Sequence, residues 1–427
     1  MRLSIFKNRV FPIIIVFVLV MISCGSKSKN DSAQNNEILK QVQDDSNSKF
    51  SDDIIVAANR TDAYLPLLKG KRVGIIANQT SVVFKEIASS QVYQNDNYTH
   101  LVDTLLQRNV NIKKVFAPEH GFRGKADAGE LVKDGIDTKT NLPIVSLYGK
   151  NKKPSPEQLA DLDVVIFDIQ DVGARFYTYI SSLHYVMEAC AEANIPVIIL
   201  DRPNPNGNYI DGPILEPAHK SFVGMHPIPV VHGMTIGEYA KMINGQGWLE
   251  NKITCDITVI EMQNYAHDKT YNLPIKPSPN LPNDKSINLY PSLCFFEGTN
   301  VNAGRGTSKQ FQIYGSPYLD KTVYSFKYIP MPNEGAKYPK HDGILCYGED
   351  LSERKNLNQI DLSYLIKAYK NSIDKKIFFN DFFTNLAGTK ALRMQIESGV
   401  SEKEIKETWV DGLKKFRTVR AQYLIYE

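Results

Sequence analysis

The sequence has almost no excess of charge of either sign: 50 basic and 47 acidic residues give 427 residues a formal net charge of +3. Proteins that bind nucleic acid carry a clustered basic face, so this balance argues against that class. The GxGxxG and GxxxxGK[ST] motifs that hold nucleotide phosphates are missing, and so is the GxSxG motif of serine esterases. Nucleotide-binding enzymes and esterases of these types are therefore not indicated.

Cysteine is scarce, with five residues and no CxxC pair. Zinc sites commonly use such pairs, so no zinc site is indicated and we expect no cofactor. Cys190 falls on the apolar face of a predicted helix and is expected in the core. The sequence does not decide whether two of the residues Cys255, Cys294 and Cys346 form a disulfide.

The N-terminus has the pattern of a targeting segment. Arg2, Lys7 and Arg9 precede an apolar run, residues 10–22, that is too short for an ordinary membrane span. A small residue before Cys24 is typical of a bacterial lipoprotein signal, which predicts cleavage there, lipidation of Cys24 and a membrane-anchored exported protein, periplasmic or on the cell surface. A plain secretory signal or an uncleaved anchor is the alternative.

The chain length predicts two domains after the signal peptide. Residues 25–52 are polar and cannot bury enough apolar surface to fold, which predicts a flexible linker. We place the catalytic domain at residues 53–258 and a C-terminal domain that contributes to the cleft at 259–427.

Apolar runs alternate with helical periodicity in the first domain. This alternation predicts an α/β fold with a parallel sheet and helices on both faces. The strands are predicted at residues 72–77, 114–117, 164–167 and 197–200, and the helices at 99–108, from Ser155, at 176–190 and from Thr235.

The second half differs in composition. Residues 276–307 are rich in Pro, Gly and Asn and predict a long functional loop. Helical periodicity returns at residues 361–369 and again, as one helix, at 401–416.

Polar residues follow each of the four predicted strands. Because parallel strands present their carboxyl ends at one edge, these side chains are expected together, as in a functional site. The polar residues at each strand end also have an alternative, purely structural interpretation; for Asp168 it is the capping of a helix. The residues are Asn78, Gln79 and Thr80; Glu119 and His120; Asp168, Gln170 and Asp171; and Asp201, Arg202 and Asn204.

Carboxylates among amides and aromatic residues suit glycoside hydrolysis, which commonly uses one carboxylic acid and one carboxylate. Glu119 is the predicted acid; the alternative is a structural Glu paired with Arg123. The candidates for the second role are Asp168, Asp171, Glu130 and Glu297.

Histidines and tyrosines near these strand ends are further candidates. His120 and His232 lie beside glycines in predicted loops and are expected to orient a carboxylate or contact substrate, although a lone His is often structural. Tyr177 and Tyr179 either line the pocket or belong to the core.

Several long strings give the chain a resemblance to a known family. VGIIANQT, FAPEHGFRG, VVIFDIQDVGARFYTYI, LDRPNPNG, KPSPNLP, EGTN and GRGT, in this order, resemble the exo-β-N-acetylmuramidase (NamZ) family over residues 55–427. The resemblance implies a Rossmann-like N-terminal domain, a smaller α+β C-terminal domain and an active-site cleft between them. It also implies release of N-acetylmuramic acid from the non-reducing ends of peptidoglycan fragments.

The same resemblance implies site residues. It transfers Glu119 and His120 from the EHG motif, and Asp168, Asp171 and Arg175 from DIQDVGARF. The lactyl carboxylate of the sugar calls for a cation, and Arg binds carboxylates with two hydrogen bonds. The candidate cations are Arg123, Arg175, Arg202 and Arg305, and the other expected substrate contacts are Asn78, Gln79, Glu130, Gln170, Tyr177, Asp201, His232, Asn280 and Glu297.

Two other functions stay open. One is a non-catalytic lipoprotein that binds cell-wall fragments. The other is a metal-dependent amidase or deacetylase; its conceivable ligands are Glu119, His120, Asp168 and His232, whose spacing is not diagnostic.

Overall fold

A computed structural model describes residues 53–85, 97–124 and 134–427. The strands in these ranges are β1 (Val73–Ala77), β2 (Val82–Phe84), β3 (Tyr98–His100), β4 (Ile112–Ala117), β5 (Gly135–Ile136), β6 (Pro143–Ser146), β7 (Val164–Asp168), β8 (Val197–Leu200), β9 (Ile257–Ile260), β10 (Ile313–Ser316), β11 (Phe326–Tyr328) and β12 (Cys346–Asp350).

The α-helices in the same ranges are α1 (Thr61–Leu68), α2 (Leu101–Gln107), α3 (Pro156–Leu159), α4 (Tyr179–Glu192), α5 (Ile236–Gly245), α6 (Asp284–Leu293), α7 (Ser363–Lys370), α8 (Phe382–Ala387), α9 (Ala391–Glu397), α10 (Glu402–Glu407) and α11 (Val410–Arg420). The predicted N-caps Ser155, Thr235 and Ser401 each form a capping box with the residue three positions later.

A seven-stranded sheet with the order β5-β6-β4-β1-β7-β8-β9 forms the N-terminal part. Its last six strands are parallel, and β5 pairs antiparallel at the edge. Numbered along the chain, the six parallel strands have the order 3-2-1-4-5-6 of the Rossmann fold. The predicted Rossmann-like α/β domain is therefore confirmed.

The central strands bury side chains on both faces of the sheet. Every residue of β1, β7 and β8 is buried, as expected for parallel strands covered by helices on both sides. Alternate side chains belong to two different cores: Val165 and Phe167 pack into one, Val164 and Ile166 into the other.

The smaller C-terminal part combines the antiparallel sheet β10-β12-β11 with helices α6 to α11. The predicted boundary near residue 258 falls within β9, so the second part begins only after this strand completes the large sheet. One hydrophobic core continues from Phe167 and Met187 to Phe295 and Leu413, which explains why the two parts form one compact unit.

Three predicted segments differ in detail. Residues 98–100 form β3, and the helix begins at Leu101, because the His100 side chain accepts a hydrogen bond from the backbone N–H of Val102. Residues 401–416 form two helices, since the Thr408 amide and hydroxyl both donate to the Ile405 carbonyl and end the first. The predicted loop 276–307 contains α6, whose N-cap is Asn283.

The four cysteines from Cys190 onward are buried free thiols. Within the described residues, no helix combines the length and apolar character needed to cross a membrane. The predicted signal peptide, the lipidation site Cys24 and the linker lie outside those residues.

Candidate active site

The direction of the strand order reverses at β1. The chain runs from β1 through β4 to β6 on one side, then returns and continues through β7, β8 and β9 on the other. Crevices at such a reversal are where open α/β sheets bind ligands. Glu119 and His120 follow β4 at this edge, and the segment after β7 leads to α4 beside them.

Glu119 is held from two sides by hydroxyl groups. Tyr148 Oη donates to Oε1 at 3.0 Å, and Thr178 Oγ1 donates to Oε2 at 2.9 Å. The backbone then turns sharply, since His120 and Gly121 both adopt positive φ angles, 70° and 76°. A histidine in this region carries backbone strain, which is concentrated at functional sites. The turn and the two hydroxyls fix the direction of the carboxylate.

A cavity of about 290 Å³ opens beside Glu119. Its wall combines apolar and aromatic side chains with a few polar groups, as in small-molecule sites. The polar residues are Glu119, His120, Thr178, Ser278, Asn280, Glu297 and Arg305, and the aromatic ones are Tyr148, Phe176, Tyr177, Phe222, Tyr290, Phe311 and Phe382.

The C-terminal part supplies the second carboxylate of this cavity. Glu297 lies on a 3-10 helix, Cys294–Gly298, and its Oε2 is 3.3 Å from Arg305 Nη1. Arg305 Nη2 and Asn280 Nδ2 both donate to the Gly335 carbonyl, at 3.3 and 2.5 Å. The predicted residues Asn280, Glu297 and Arg305 are therefore linked to one another and line the same cavity as Glu119.

Tyr177 and Gln79 both bind the chain beside Ser278. Tyr177 lines the cavity, and its hydroxyl donates to the Pro277 carbonyl at 2.8 Å. Gln79 Nε2 donates to the same carbonyl at 3.1 Å. Gln79 thus supports the segment that carries Ser278 and Asn280, and it is not part of the cavity wall.

Asp168 and Arg202, which the sequence predicts at the site, form a buried ion pair behind it. Arg202 Nε and Nη2 bind the two carboxylate oxygens of Asp168 at 2.6 and 2.9 Å. Arg202 also donates to the Val82 carbonyl. Neither side chain lines the cavity, and the hydrogen bonds of this pair are made in the interior of the protein.

Asp171, Gln170 and His232 form a second buried group away from the cavity wall. Asp171 Oδ2 accepts a hydrogen bond from the Gly173 amide and lies 3.7 Å from His232 Nε2. Gln170 Nε2 donates to the carbonyls of Asp171 and Pro203. These contacts fix the chain between β7 and α4, so the three side chains support the site from outside.

Arg175 is completely buried and binds backbone carbonyls only. Nη1 donates to Pro213 and Ile228, and Nη2 donates to Leu386 and Ala387. Burial without a carboxylate partner lowers the pKa of Arg175 to about 9. This side chain ties α8 to the N-terminal part and is not a cation of the cavity.

Asp201 also serves the interior. Its oxygens accept hydrogen bonds from the Gly237 amide, Thr235 Oγ1 and Tyr426 Oη. Burial, followed by the charge of Glu238, raises the pKa of Asp201 to about 7. Asp201 therefore anchors the start of α5 and the C-terminal segment.

Asn78 and Arg123 have structural partners as well. Asn78 is buried, and its Nδ2 donates to Tyr179 Oη at 2.9 Å. Arg123 pairs with Asp137 at 2.7 Å and Asp103 at 3.4 Å. The ion pairs of Arg123 therefore lead away from Glu119 and do not form the pair considered from the sequence.

Sequence reasoning missed Tyr148 and Thr178, the two partners of the Glu119 side chain. Tyr148 lies two residues beyond β6, so the rule applied to the other strand ends would have found it. β6 was not predicted because Pro143–Ser146 is short and only Ser146 in it is buried. Thr178 directly precedes α4. Glu130 lies outside the described residues.

The conceivable metal ligands are not brought together. Asp168 binds Arg202, and His232 faces Asp171, whereas Glu119 and His120 lie at the cavity. In the described part of the chain, three acidic groups lie within ligand distance of one another elsewhere: Glu188, Glu192 and Glu250. Lys153 Nζ already binds two of them, at 2.9 and 2.7 Å.

Two family models match consecutive parts of the chain. The N-terminal model of exo-β-N-acetylmuramidase NamZ matches residues 73–285, and the C-terminal model matches residues 288–426. The chain is 40% identical over 383 residues to the peptidoglycan β-N-acetylmuramidase NamZ of Bacillus subtilis. This alignment covers 85% of this chain and 89% of that protein.

Solved structures of two DUF1343 family proteins from Bacteroides fragilis are also similar. One is 46% identical with a TM-score of 0.79. The other is 27% identical with a TM-score of 0.71. Each alignment covers 88% of this chain and 99% of the other, so the similarity extends over both parts of the fold.

Proposed function

The chain belongs to the exo-β-N-acetylmuramidase NamZ family, and we propose that it hydrolyses the terminal, non-reducing N-acetylmuramic acid from peptidoglycan fragments. The observation that carries the proposal is the presence of two carboxylates, Glu119 and Glu297, in one cavity. Glycoside hydrolysis commonly uses such a pair. One carboxylate comes from each part of the fold, so the sugar binds between the two.

Arg305 supports the choice of sugar. N-acetylmuramic acid carries a lactyl carboxylate that requires a cation. Of the four arginines considered from the sequence, Arg305 lines the cavity, whereas Arg123, Arg175 and Arg202 have other partners outside it. We therefore assign the lactyl carboxylate to Arg305 and the scissile bond to the region of Glu119.

Product analysis tests the activity. The purified protein is incubated with a β-1,4-linked N-acetylmuramic acid–N-acetylglucosamine disaccharide, and we expect release of both sugars. Glu119→Gln should lower kcat by about 10²–10⁴-fold if the carboxyl takes part in proton transfer. Circular dichroism and calorimetric binding of the disaccharide serve as controls for folding and for the intact cavity.

Two outcomes would contradict the proposal. Tight binding of the disaccharide without turnover indicates a protein that only binds wall fragments. Release of acetate or of a peptide that stops when a chelator is added indicates a metal-dependent deacetylase or amidase.

We further propose that the protein is an exported lipoprotein, anchored to a membrane through Cys24. The support is the basic N-terminus, the short apolar run and the small residue before Cys24. Cells that express the protein should incorporate labelled fatty acid into it, and Cys24→Ala should abolish the label. Incorporation that persists in the variant would place the modification elsewhere.

A further inference from the structure

The backbone around Glu297 is bound by the ammonium group of one lysine. Lys340 Nζ donates to the carbonyls of Phe296 and Val301, each at 3.0 Å, and also to the carbonyl of Thr299. A lysine ammonium has three N–H donors and no acceptor. Its donors therefore match the three carbonyls, which lie on both sides of Glu297 in the chain.

We propose that Lys340 is a positioning residue that holds the carboxylate of Glu297 at the cavity through the backbone of the turn 296–301. Lys340 does not itself line the cavity, so it acts through Glu297 and not on the sugar. The inference rests on the proposed hydrolase activity, in which Glu297 is one of the two carboxylates.

The turn needs a donor at this point because a helix ends there. Glu297 lies on the 3-10 helix Cys294–Gly298, and carbonyls at the end of a helix have no partner within it. The amide and hydroxyl of Thr299 both donate to the Phe296 carbonyl, at 3.0 and 2.9 Å. Thr299 and Val301 are buried, and buried carbonyls are rarely left without a partner. Loss of the ammonium should therefore rearrange the turn.

The same lysine is linked to Arg305, the charge partner of Glu297. Asn302 Nδ2 donates to the backbone carbonyls of Arg305 and Lys340, at 3.0 and 2.8 Å. Arg305 Nη1 in turn lies 3.3 Å from Glu297 Oε2. Lys340 thus binds the turn of Glu297 with its side chain and is joined through Asn302 to the backbone of Arg305.

The surroundings of Lys340 favour its charged form in two ways. Burial has the largest effect and lowers the pKa of Lys340, but the charge of Glu297 raises it. Hydrogen bonds from the ammonium to three carbonyls also favour the charged form. Glu297 therefore helps to retain the cation that holds its own turn.

A double-mutant cycle tests whether Lys340 acts through Glu297. Lys340→Met removes the ammonium and keeps an unbranched side chain. We expect kcat for the β-1,4-linked disaccharide to fall about ten- to a hundred-fold, because a displacement of about 1 Å at a reacting group can lower the rate by that much. Glu297→Asp already displaces the carboxylate by one methylene. In this background Lys340→Met should therefore change kcat by less than about three-fold.

Lys406→Met is the matched control. Lys406 Nζ also binds a backbone carbonyl in the C-terminal part, that of Ile360, and neither residue lines the cavity. Circular dichroism and thermal unfolding follow the fold of every variant. We expect a lower Tm for both lysine variants, whereas kcat should fall in Lys340→Met and stay at the wild-type value in Lys406→Met.

Several results would overturn the proposal. An equal fall in kcat when Lys340 is replaced in both backgrounds shows that Lys340 only stabilises the fold. An unchanged kcat in Lys340→Met, or in Glu297→Asp, shows that the position of this carboxylate does not limit the reaction.

A failure of Lys340→Met to fold is met by Lys340→Gln, whose amide can still donate two hydrogen bonds, in the same cycle. If neither variant folds, Lys340 serves the fold alone and the proposal is wrong. A wild-type protein that releases no sugar refutes the hydrolase activity itself, a failure distinct from any result in the variants.

Discussion

Arg202 binds both carboxylate oxygens of Asp168 in the interior of the protein, with N–O distances of 2.6 and 2.9 Å. Asp168 has no exposed surface and Arg202 only 4%. A buried pair of this kind costs desolvation energy when it forms, but the loss of one partner leaves an uncompensated charge. The pair therefore holds the ends of β7 and β8 together.

Asp168→Asn should destabilise the fold by about 3–5 kcal/mol, because Arg202 then loses its charge partner. Asp163→Asn is the matched control: it breaks the exposed pair with Arg72, which contributes at most about 1 kcal/mol. Urea unfolding measures both. A folded Asp168→Asn protein should retain kcat within a few fold. A large loss of kcat in a fully folded variant would instead show that Asp168 takes part in catalysis.

The pH dependence of stability should reveal Asp201. Its pKa is raised from 3.8 to about 7 in the folded protein, first by burial and then by the charge of Glu238. Between these pH values the folded protein keeps a proton that the unfolded chain releases. The stabilising contribution is therefore present at and below about pH 4 and declines as the pH rises through 7, by up to ~4 kcal/mol.

Asp201→Asn removes this titration. Unfolding free energies measured in urea at pH 4, 5.5 and 7 should show the wild type losing stability relative to the variant as the pH rises. Both proteins contain Glu238 and His267, so other titrations largely cancel in the difference. A constant difference across the three pH values would show that Asp201 does not titrate in this range.

The sheet could be predicted from the sequence because its central strands are buried on both faces. Runs such as Val164–Phe167 and Val197–Leu200 are continuously apolar and end at polar residues. Those ends were located correctly, but a sequence does not show which polar side chains point to solvent and which find a buried partner. Asp168 bonds to Arg202, 34 residues away, and that distance along the chain hides the pair.

The cavity was predicted only in part for a related reason. Of the predicted site residues, those that line it are Glu119, His120, Tyr177, Asn280, Glu297 and Arg305. Tyr148 was missed because β6 is a short strand near the sheet edge with mixed burial, which gives no clear apolar run. Thr178 was missed because its position depends on where α4 begins after the buried segment that follows β7.

Arg175 should be important for the association of the two parts of the fold. Its two terminal nitrogens satisfy four carbonyls, two of them on α8. Arg175→Lys replaces the two terminal guanidinium nitrogens by one ammonium nitrogen, so at least one buried carbonyl loses its hydrogen-bond donor. The loss should lower the free energy of unfolding by about 1–3 kcal/mol. Thermal unfolding should show a lower Tm, whereas Arg393→Lys, in the half-exposed pair with Glu397, should change Tm little.

Recognition of the lactyl group makes a prediction about specificity. Arg305→Met removes the cation assigned to that carboxylate, so kcat/KM for a chromogenic N-acetylmuramic acid glycoside should fall by about ten- to a hundred-fold. The corresponding N-acetylglucosamine glycoside lacks the lactyl group, and its lower rate should change much less. The ratio of the two rates is therefore the quantity to measure.

Arg123→Met is the control for this ratio, because Arg123 pairs with Asp137 and Asp103 outside the cavity. Its preference between the two glycosides should match that of the wild type. An equal fall on both glycosides in Arg305→Met would point to Glu297, which lies 3.3 Å from Arg305 Nη1. The arginine would then orient a carboxylate that acts on either sugar, and recognition of the lactyl group would have to come from another donor on the cavity wall.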